Sequence, residues 1–305
     1  MPNNNWTVRG SRALDLAPFC IMGIVNVTPD SFSDGGEFFS PAAALEQAGE
    51  LLRGGAAILD LGGESTRPGS APVSGAEEID RVVPVMAQLA RNRAARKQDF
   101  LLSLDTWRAG TAAAGLETGA DIINDVTGAL FDPALAEVLV QYQPGYILGH
   151  CPGRPATMQR APSYENVVEE VYAWLAGQAN WLVRRGLKAD RLCLDPCPGF
   201  GKNLQHNLAL LRDLGRGPGS LLLSLGLPVC VAISRKAMLG QILGQDPGQD
   251  PGLTPGSGAG SRGRAEKDAA TQALTALLLQ SGLCLHRVHD AAGARRAALL
   301  QAALI

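Results

Sequence analysis

Short apolar runs alternate along this chain with longer segments of helical periodicity. The runs fall at about 20–25, 57–61, 101–104, 121–123, 145–148, 192–194, 229–232 and 284–287, and they predict strands. The segments between and after them, at about 41–54, 77–93, 108–118, 132–141, 164–186, 203–214, 264–281 and 291–304, predict helices. Apolar residues recur at i, i+3 and i+4 across Asp80–Ala95 and Tyr164–Arg185. Pro41 suits a first helical turn, and Gly54-Gly55 suits a helix end. Most apolar runs also hand over to a polar residue. They end at Asn26, Asp60, Asp105, Asn124, Asp195, Lys236, and the pair Arg287 and His289.

Repeated strand-helix pairs predict a parallel sheet, either doubly wound or closed into an eight-fold barrel. An open sheet draws its ligand contacts from a few strands at a switch point. Polar ends on seven of eight runs favour a closed ring. The expectation is therefore an α/β protein, a (β/α)8 TIM barrel of one domain over residues 1–305, with Trp6–Cys20 covering its bottom. One stretch breaks the pattern. Residues 244–263 hold seven glycines and three prolines, with the related units DPGQ, DPGL and TPGS in succession. That composition cannot pack a core and predicts a flexible surface insertion rather than a lid.

Composition narrows the function. Twenty-seven basic residues against 29 acidic ones, net −2, give no footprint for nucleic acid or an anionic membrane. Six cysteines lie mostly in or beside apolar runs, without metal-site spacing, and read as buried thiols in a reducing compartment. The first dozen residues lack the apolar stretch of a signal peptide, and Leu221–Ile233 is too short and too interrupted to cross a bilayer. The expectation is a cytoplasmic protein.

In such a barrel the site lies at the C-terminal mouth. Asp105, Asn124 and Asp195 supply short acceptors at three strand ends, and Lys236 supplies a long donor at a fourth. That set matches a flat heterocycle with N–H groups on one edge and ring nitrogen and carbonyl acceptors elsewhere, as in guanine or pterin. A single Asp at a strand end can equally be a helix cap, but four convergent groups are harder to explain that way. Arg67, Arg287 and His289 suit phosphate oxygens, and Arg287 and His289 share one strand face. Asn26 could ligate Mg2+ jointly with a diphosphate. Ser234-Arg235-Lys236 opens a helix whose N-terminus favours a carboxylate or phosphate. Gly199-Phe200-Gly201-Lys202 lacks the remaining glycine and hydroxyl of a phosphate loop, and Gly256, Gly258 and Gly260 follow no strand. His286 and His289 point to opposite faces and make no zinc pair. His206 reads as a helix-surface residue.

With IMGIVNVTPDSFSDGG, LDLGGESTRPGS, SLDT, IINDVTG, DPCPGFGKN, SRK and RVHD in that order, the chain resembles the dihydropteroate synthases of the folate pathway over about residues 20–290. The resemblance implies a barrel transferase that joins 6-hydroxymethyl-7,8-dihydropterin diphosphate to 4-aminobenzoate, releases diphosphate, needs Mg2+ and forms a homodimer. It implies pterin contacts at Asp105, Asn124, Asp195, Lys236 and Phe200, and diphosphate contacts at Arg67, Arg287 and His289. Asn26 is implied as the Mg2+ ligand, and Thr66, Pro68, Phe32 and Ser234 as the frame of the aminobenzoate. Asp34 belongs by resemblance to a mobile first loop, and Asp60 braces the first two loops. The chain departs from the family pattern at Cys197-Pro198, His150-Cys151, Trp107 and Lys267-Asp268. A pterin-binding corrinoid methyltransferase would share the barrel but has no use for Arg67, Arg287 and His289. A non-catalytic pterin-binding paralogue would not need Asn26, Arg67 and Lys236 together.

Overall fold

The computed structural model describes residues 3–27, 41–64, 72–154, 157–244 and 261–304. Eight parallel strands carry the architecture: β3 (Cys20–Asn26), β4 (Ile58–Gly62), β5 (Leu101–Asp105), β6 (Ile122–Asp125), β7 (Gly145–Gly149), β8 (Leu192–Asp195), β9 (Cys230–Val231) and β10 (Leu285–Val288). Their order is β8-β7-β6-β5-β4-β3-β10-β9. A parallel bridge between Leu194 and Val229 joins the two outer strands, with Leu194 N donating to Pro228 O at 2.8 Å, and closes the ring. The predicted TIM barrel is present. β9 is shorter than the predicted 229–232: only Cys230 and Val231 pair with β10, and Val229 is held by its bridge to Leu194.

Helices α1 (Pro41–Arg53), α2 (Gly75–Arg96), α3 (Ala109–Thr118), α4 (Leu135–Tyr142), α5 (Val167–Arg185), α6 (Leu204–Leu214), α7 (Ala237–Ile242), α8 (Ser261–Leu279) and α9 (Ala291–Ala302) follow the strands. α8 starts at Ser261, so the last three residues of the predicted 244–263 insertion are its first turn. Residues 245–260 lie outside the described residues. Local chemistry sets several helix starts. Ser74 Oγ accepts from Glu77 N at the start of α2, and Asp290 accepts from Gly293 N at the start of α9. Asn203 and His206 form a capping box on α6, so His206 is a capping residue rather than a plain surface one.

Alternation along each strand separates two cores. Outward residues such as Ile21, Leu59, Leu61, Leu102, Leu104, Ile123 and Leu148 pack under the helices. Inward residues Met22, Ile58, Leu101, Ile122, Ile147, Cys193, Cys230 and Leu285 fill the lower barrel together with Trp6, Val8 and Leu16. Those last three come from an antiparallel hairpin, β1 (Asn5–Val8) and β2 (Arg12–Asp15), which plugs the bottom as expected of Trp6–Cys20. The two strands of the plug were not read from the sequence, because four-residue pairings leave little periodicity. Trp6 Nε1 donates to Arg191 O at 2.7 Å. Gly145 permits this approach, since a Cβ there would sit 2.8 Å from Val8 Cγ1 and 3.0 Å from Trp6. With the floor filled by apolar side chains, polar inward residues are confined to the upper layers.

Candidate active site

Strand register assembles the upper layers. Asp60 on β4 pairs with Ser103 on β5, Asp105 pairs with Asn124 on β6, and Gly149 on β7 pairs with Asp195 on β8. Period two keeps these side chains on the face of the lower inward residues. Asp60 is fully buried and works as a hub. Its Oδ1 accepts from Ser103 Oγ at 2.5 Å, and its Oδ2 accepts from Asn124 Nδ2 at 3.0 Å and Arg287 Nε at 2.6 Å. Arg287 Nη2 continues to Asp105 Oδ2 at 2.6 Å. Asp60 therefore braces Ser103, Asn124 and Arg287 among the described residues, and Arg287 spans two carboxylates.

Burial shapes the electrostatics of this layer. It pushes Asp105 up to about 7, against the pull of Arg287. It also raises Asp195, against the pull of Lys236, and lowers Lys236 itself. Asp195 Oδ1 accepts from Cys197 N at 2.7 Å, which leaves its second oxygen for a ligand. Lys236 Nζ donates to Pro198 O and lies 4.3 Å from the centre of the Phe200 ring. The loop after β8 thus presents Phe200 and parks Lys236 beside Asp195.

That loop is fastened by Lys202, a member of the DPCPGFGKN motif whose partners the sequence does not reveal. Its buried Nζ meets His150 Nδ1 at 3.0 Å, His150 O at 3.1 Å, Cys197 O at 3.3 Å and Phe200 O at 3.0 Å. Burial pushes Lys202 down to about 8, and burial with the nearby lysine pushes His150 down to about 3. His150 is thus a buried brace between loops, packed edge-on to Trp174. Cys197 has φ +48, a left-handed conformation at the first of the two departing positions, and Pro198 contributes the carbonyl that Lys236 meets.

On the other side of the mouth, Ser234 Oγ accepts from His289 N at 3.1 Å and lies 3.0 Å from His289 Nδ1. Arg235 pairs with Asp268, an ion pair that sequence reasoning missed although position 268 stood out as a departure. It also missed the buried cluster in which Arg108 Nη1 bridges Glu64 at 2.8 Å and Glu78 at 3.0 Å. Trp107, the bulky residue beside Asp105, lies across the Arg108 guanidinium at 4.1 Å and edge-on to Phe131.

The structure therefore brings Asn26, Asp60, Asp105, Asn124, Asp195, Phe200, Ser234, Lys236, Arg287 and His289 to one end of one barrel. Phe32, Asp34, Thr66, Arg67 and Pro68 lie outside the described residues. An Mg2+ ion shared with a diphosphate needs few protein oxygens. Asn26 offers one amide oxygen at the end of β3, on the inward face and half-buried. Among the described residues no group of three or more His, Cys, Asp or Glu could hold a metal by itself. A lone neutral oxygen donor fits an ion whose remaining ligands are substrate phosphates and water.

The structure is a closed parallel barrel with acids, an amide and a lysine around its mouth. Sequence and structure comparisons agree. The pterin binding enzyme family matches residues 22–289. A dihydropteroate synthase from Streptococcus pyogenes is 40% identical over 270 residues, covering 88% of this chain and 90% of the relative. The solved Xanthomonas albilineans dihydropteroate synthase with 4-aminobenzoic acid superposes with a TM-score of 0.83 at 34% identity, covering 99% of this chain and 98% of that one. The same enzyme in complex with 7,8-dihydropteroate gives 0.79 at 32% identity, covering 98% of each chain. This chain belongs to the dihydropteroate synthase family of pterin-binding enzymes.

Proposed function

We propose that the chain condenses 6-hydroxymethyl-7,8-dihydropterin diphosphate with 4-aminobenzoate to give 7,8-dihydropteroate and diphosphate. The observation that carries this reading is the convergence of Asp105, Asn124, Asp195 and Lys236 at one barrel mouth, with Arg287 and His289 on the adjoining strand end.

In this reading Asp195 and Asn124 hold the pterin's N–H edge, Lys236 donates to its acceptors, and Phe200 lines the ring. Breaking the exocyclic C–O bond leaves a resonance-stabilised cation on the pterin, and the negative charge of Asp105 favours it. Arg287, His289 and Arg67 stabilise the departing diphosphate through its oxygens. Asn26 holds Mg2+, which when bound supplies further neutralisation of the diphosphate charge. Ser234, Thr66, Pro68 and Phe32 position the aminobenzoate so that its weakly basic nitrogen attacks the exocyclic carbon and then loses a proton. Asp60 keeps Arg287 and Asn124 in place, and Asp34 acts from the first loop. No covalent enzyme intermediate is required, and positioning contributes much of the rate.

The reading extends to the whole molecule. Residues 1–305 form one domain. The chain works as a homodimer in the cytoplasm. Six buried free cysteines support a reducing compartment, and exposed Leu277, Leu299 and Leu300 on α8 and α9 support burial against a second copy. Among the described residues no helix is long and apolar enough to cross a membrane. The test is mass-spectrometric detection of dihydropteroate from purified protein, the two substrates and Mg2+. Methyl transfer from a folate to a corrinoid protein, without dihydropteroate, would overturn the proposal.

A further inference from the structure

The turn Ser234-Arg235-Lys236 is held from three sides, and one hold lies outside the pocket. Ser234 is fixed to β10 through His289. Lys236 is fixed to the loop after β8 through Pro198 O. Between them Arg235 reaches α8, where it meets Asp268 fork to fork, Nε to Oδ1 at 2.6 Å and Nη2 to Oδ2 at 2.7 Å. Arg235 N also donates to Thr271 Oγ1 at 3.4 Å. The backbone of Arg235 has φ +57, in the left-handed region that a residue with a side chain seldom occupies. Such a conformation persists where its surroundings over-determine it, and a bidentate pair is a constraint of that kind.

We propose that Asp268 is a positioning residue for the two-substrate site. By holding Arg235 in its left-handed turn it sets the directions in which Ser234 and Lys236 leave the turn. The proposal rests on the reading of Ser234 as an aminobenzoate contact and Lys236 as a pterin contact. A rotation at residue 235 swings one anchor relative to the other, so a loosened turn disturbs both substrates at once. An ion pair that merely joined α8 to the barrel would change stability and leave both KM values alone.

The carboxylate at 268 provides a charged clamp for Arg235 of the turn. The pair is only partly covered, with side chains 30% and 16% exposed, so its contribution to global stability is small.

Steady-state kinetics on the full chain, with each substrate varied in turn, tests this together with thermal denaturation. Asp268→Asn should raise both KM values about tenfold, since small misplacements of reacting groups are costly. Its thermal midpoint should move by no more than about 3 °C. Asp268→Glu, which keeps the charge, should recover most of the loss. Arg235→Gly makes the left-handed turn easy but unfastened, and should raise both KM values without lowering the midpoint further. Asp268→Asn and Arg235→Gly variants with wild-type KM values, beside an active wild type, would overturn the role of Asp268 alone. Inactive wild-type protein would instead overturn the reading of the site on which it rests.

Discussion

Arg287 Nε donates to Asp60 Oδ2 at 2.6 Å, between residues 227 positions apart in the chain. This contact joins the last barrel strand to the second across β3. Asp60 also receives Ser103 and Asn124, while Arg287 passes on to Asp105. Arg287, assigned to the diphosphate, and Asp105 and Asn124, assigned to the pterin, are thus parts of one network centred on a carboxylate that is fully buried.

Asp60→Ala takes the shared acceptor from an amide and a hydroxyl and leaves the Arg287 guanidinium with Asp105 alone. Breaking a buried pair in this way costs about 3–5 kcal/mol. Urea denaturation at neutral pH should show a loss of that size, and a loss below about 1 kcal/mol would remove Asp60 from its central place.

Asp195→Asn replaces a buried acceptor with a group that must donate from one side. Hydrogen bonds to a charged partner contribute about 1.5–3 kcal/mol, so affinity for the pterin diphosphate should fall about 10- to 100-fold. Calorimetric titration measures this directly. Unchanged affinity would move the pterin away from β8.

Lys236→Ala removes the donor parked between Pro198 and Phe200. Loss of one such preorganised group should lower kcat/KM about 100-fold or more, with a weaker pterin interaction. An unimpaired variant in a steady-state assay would refute the assignment.

Asp105 provides a pH test. Burial raises it to about 7 in the folded protein, whereas an unfolded chain releases the proton near about 3.9. Between these values the folded state holds a proton that the unfolded state has lost. This group's contribution to stability is therefore full below about pH 4 and disappears as pH rises through about 7. Urea midpoints of wild type and Asp105→Asn should diverge between pH 5 and pH 8, with wild type losing more on the alkaline side. Parallel pH profiles would contradict the raised carboxyl.

Residues 245–260 give a negative test. Replacing residues 245–260 with a short Gly-Ser linker should leave kcat within about twofold, because a glycine- and proline-rich composition of this kind supplies no core and no candidate site residue. A large loss of rate would make the segment a lid.

Much of the barrel was legible because its strands end abruptly. Most apolar runs are about as long as one strand, and the next polar residue marks the mouth, as at Asp105 and Asp195. The plug strands, β1 and β2, were hidden because their order comes from packing of Trp6 and Val8 against the barrel floor rather than from a repeat. Within the site, residue types could be read but their partners could not. Arg287 could be placed at a strand end from sequence, yet its grip on Asp60 and Asp105 depends on closure of the ring. Lys202 was hidden for the same reason. Its four acceptors come from two loops that meet only in the folded barrel.

The central claim is that one barrel mouth holds a pterin, its leaving diphosphate and an incoming arylamine together. Diphosphate release from purified protein, measured with and without 4-aminobenzoate in the presence of the pterin diphosphate and Mg2+, tests it most directly. The account predicts release that depends on 4-aminobenzoate and matches dihydropteroate formed mole for mole. No release with both substrates present, or release without any coupled product, would contradict it.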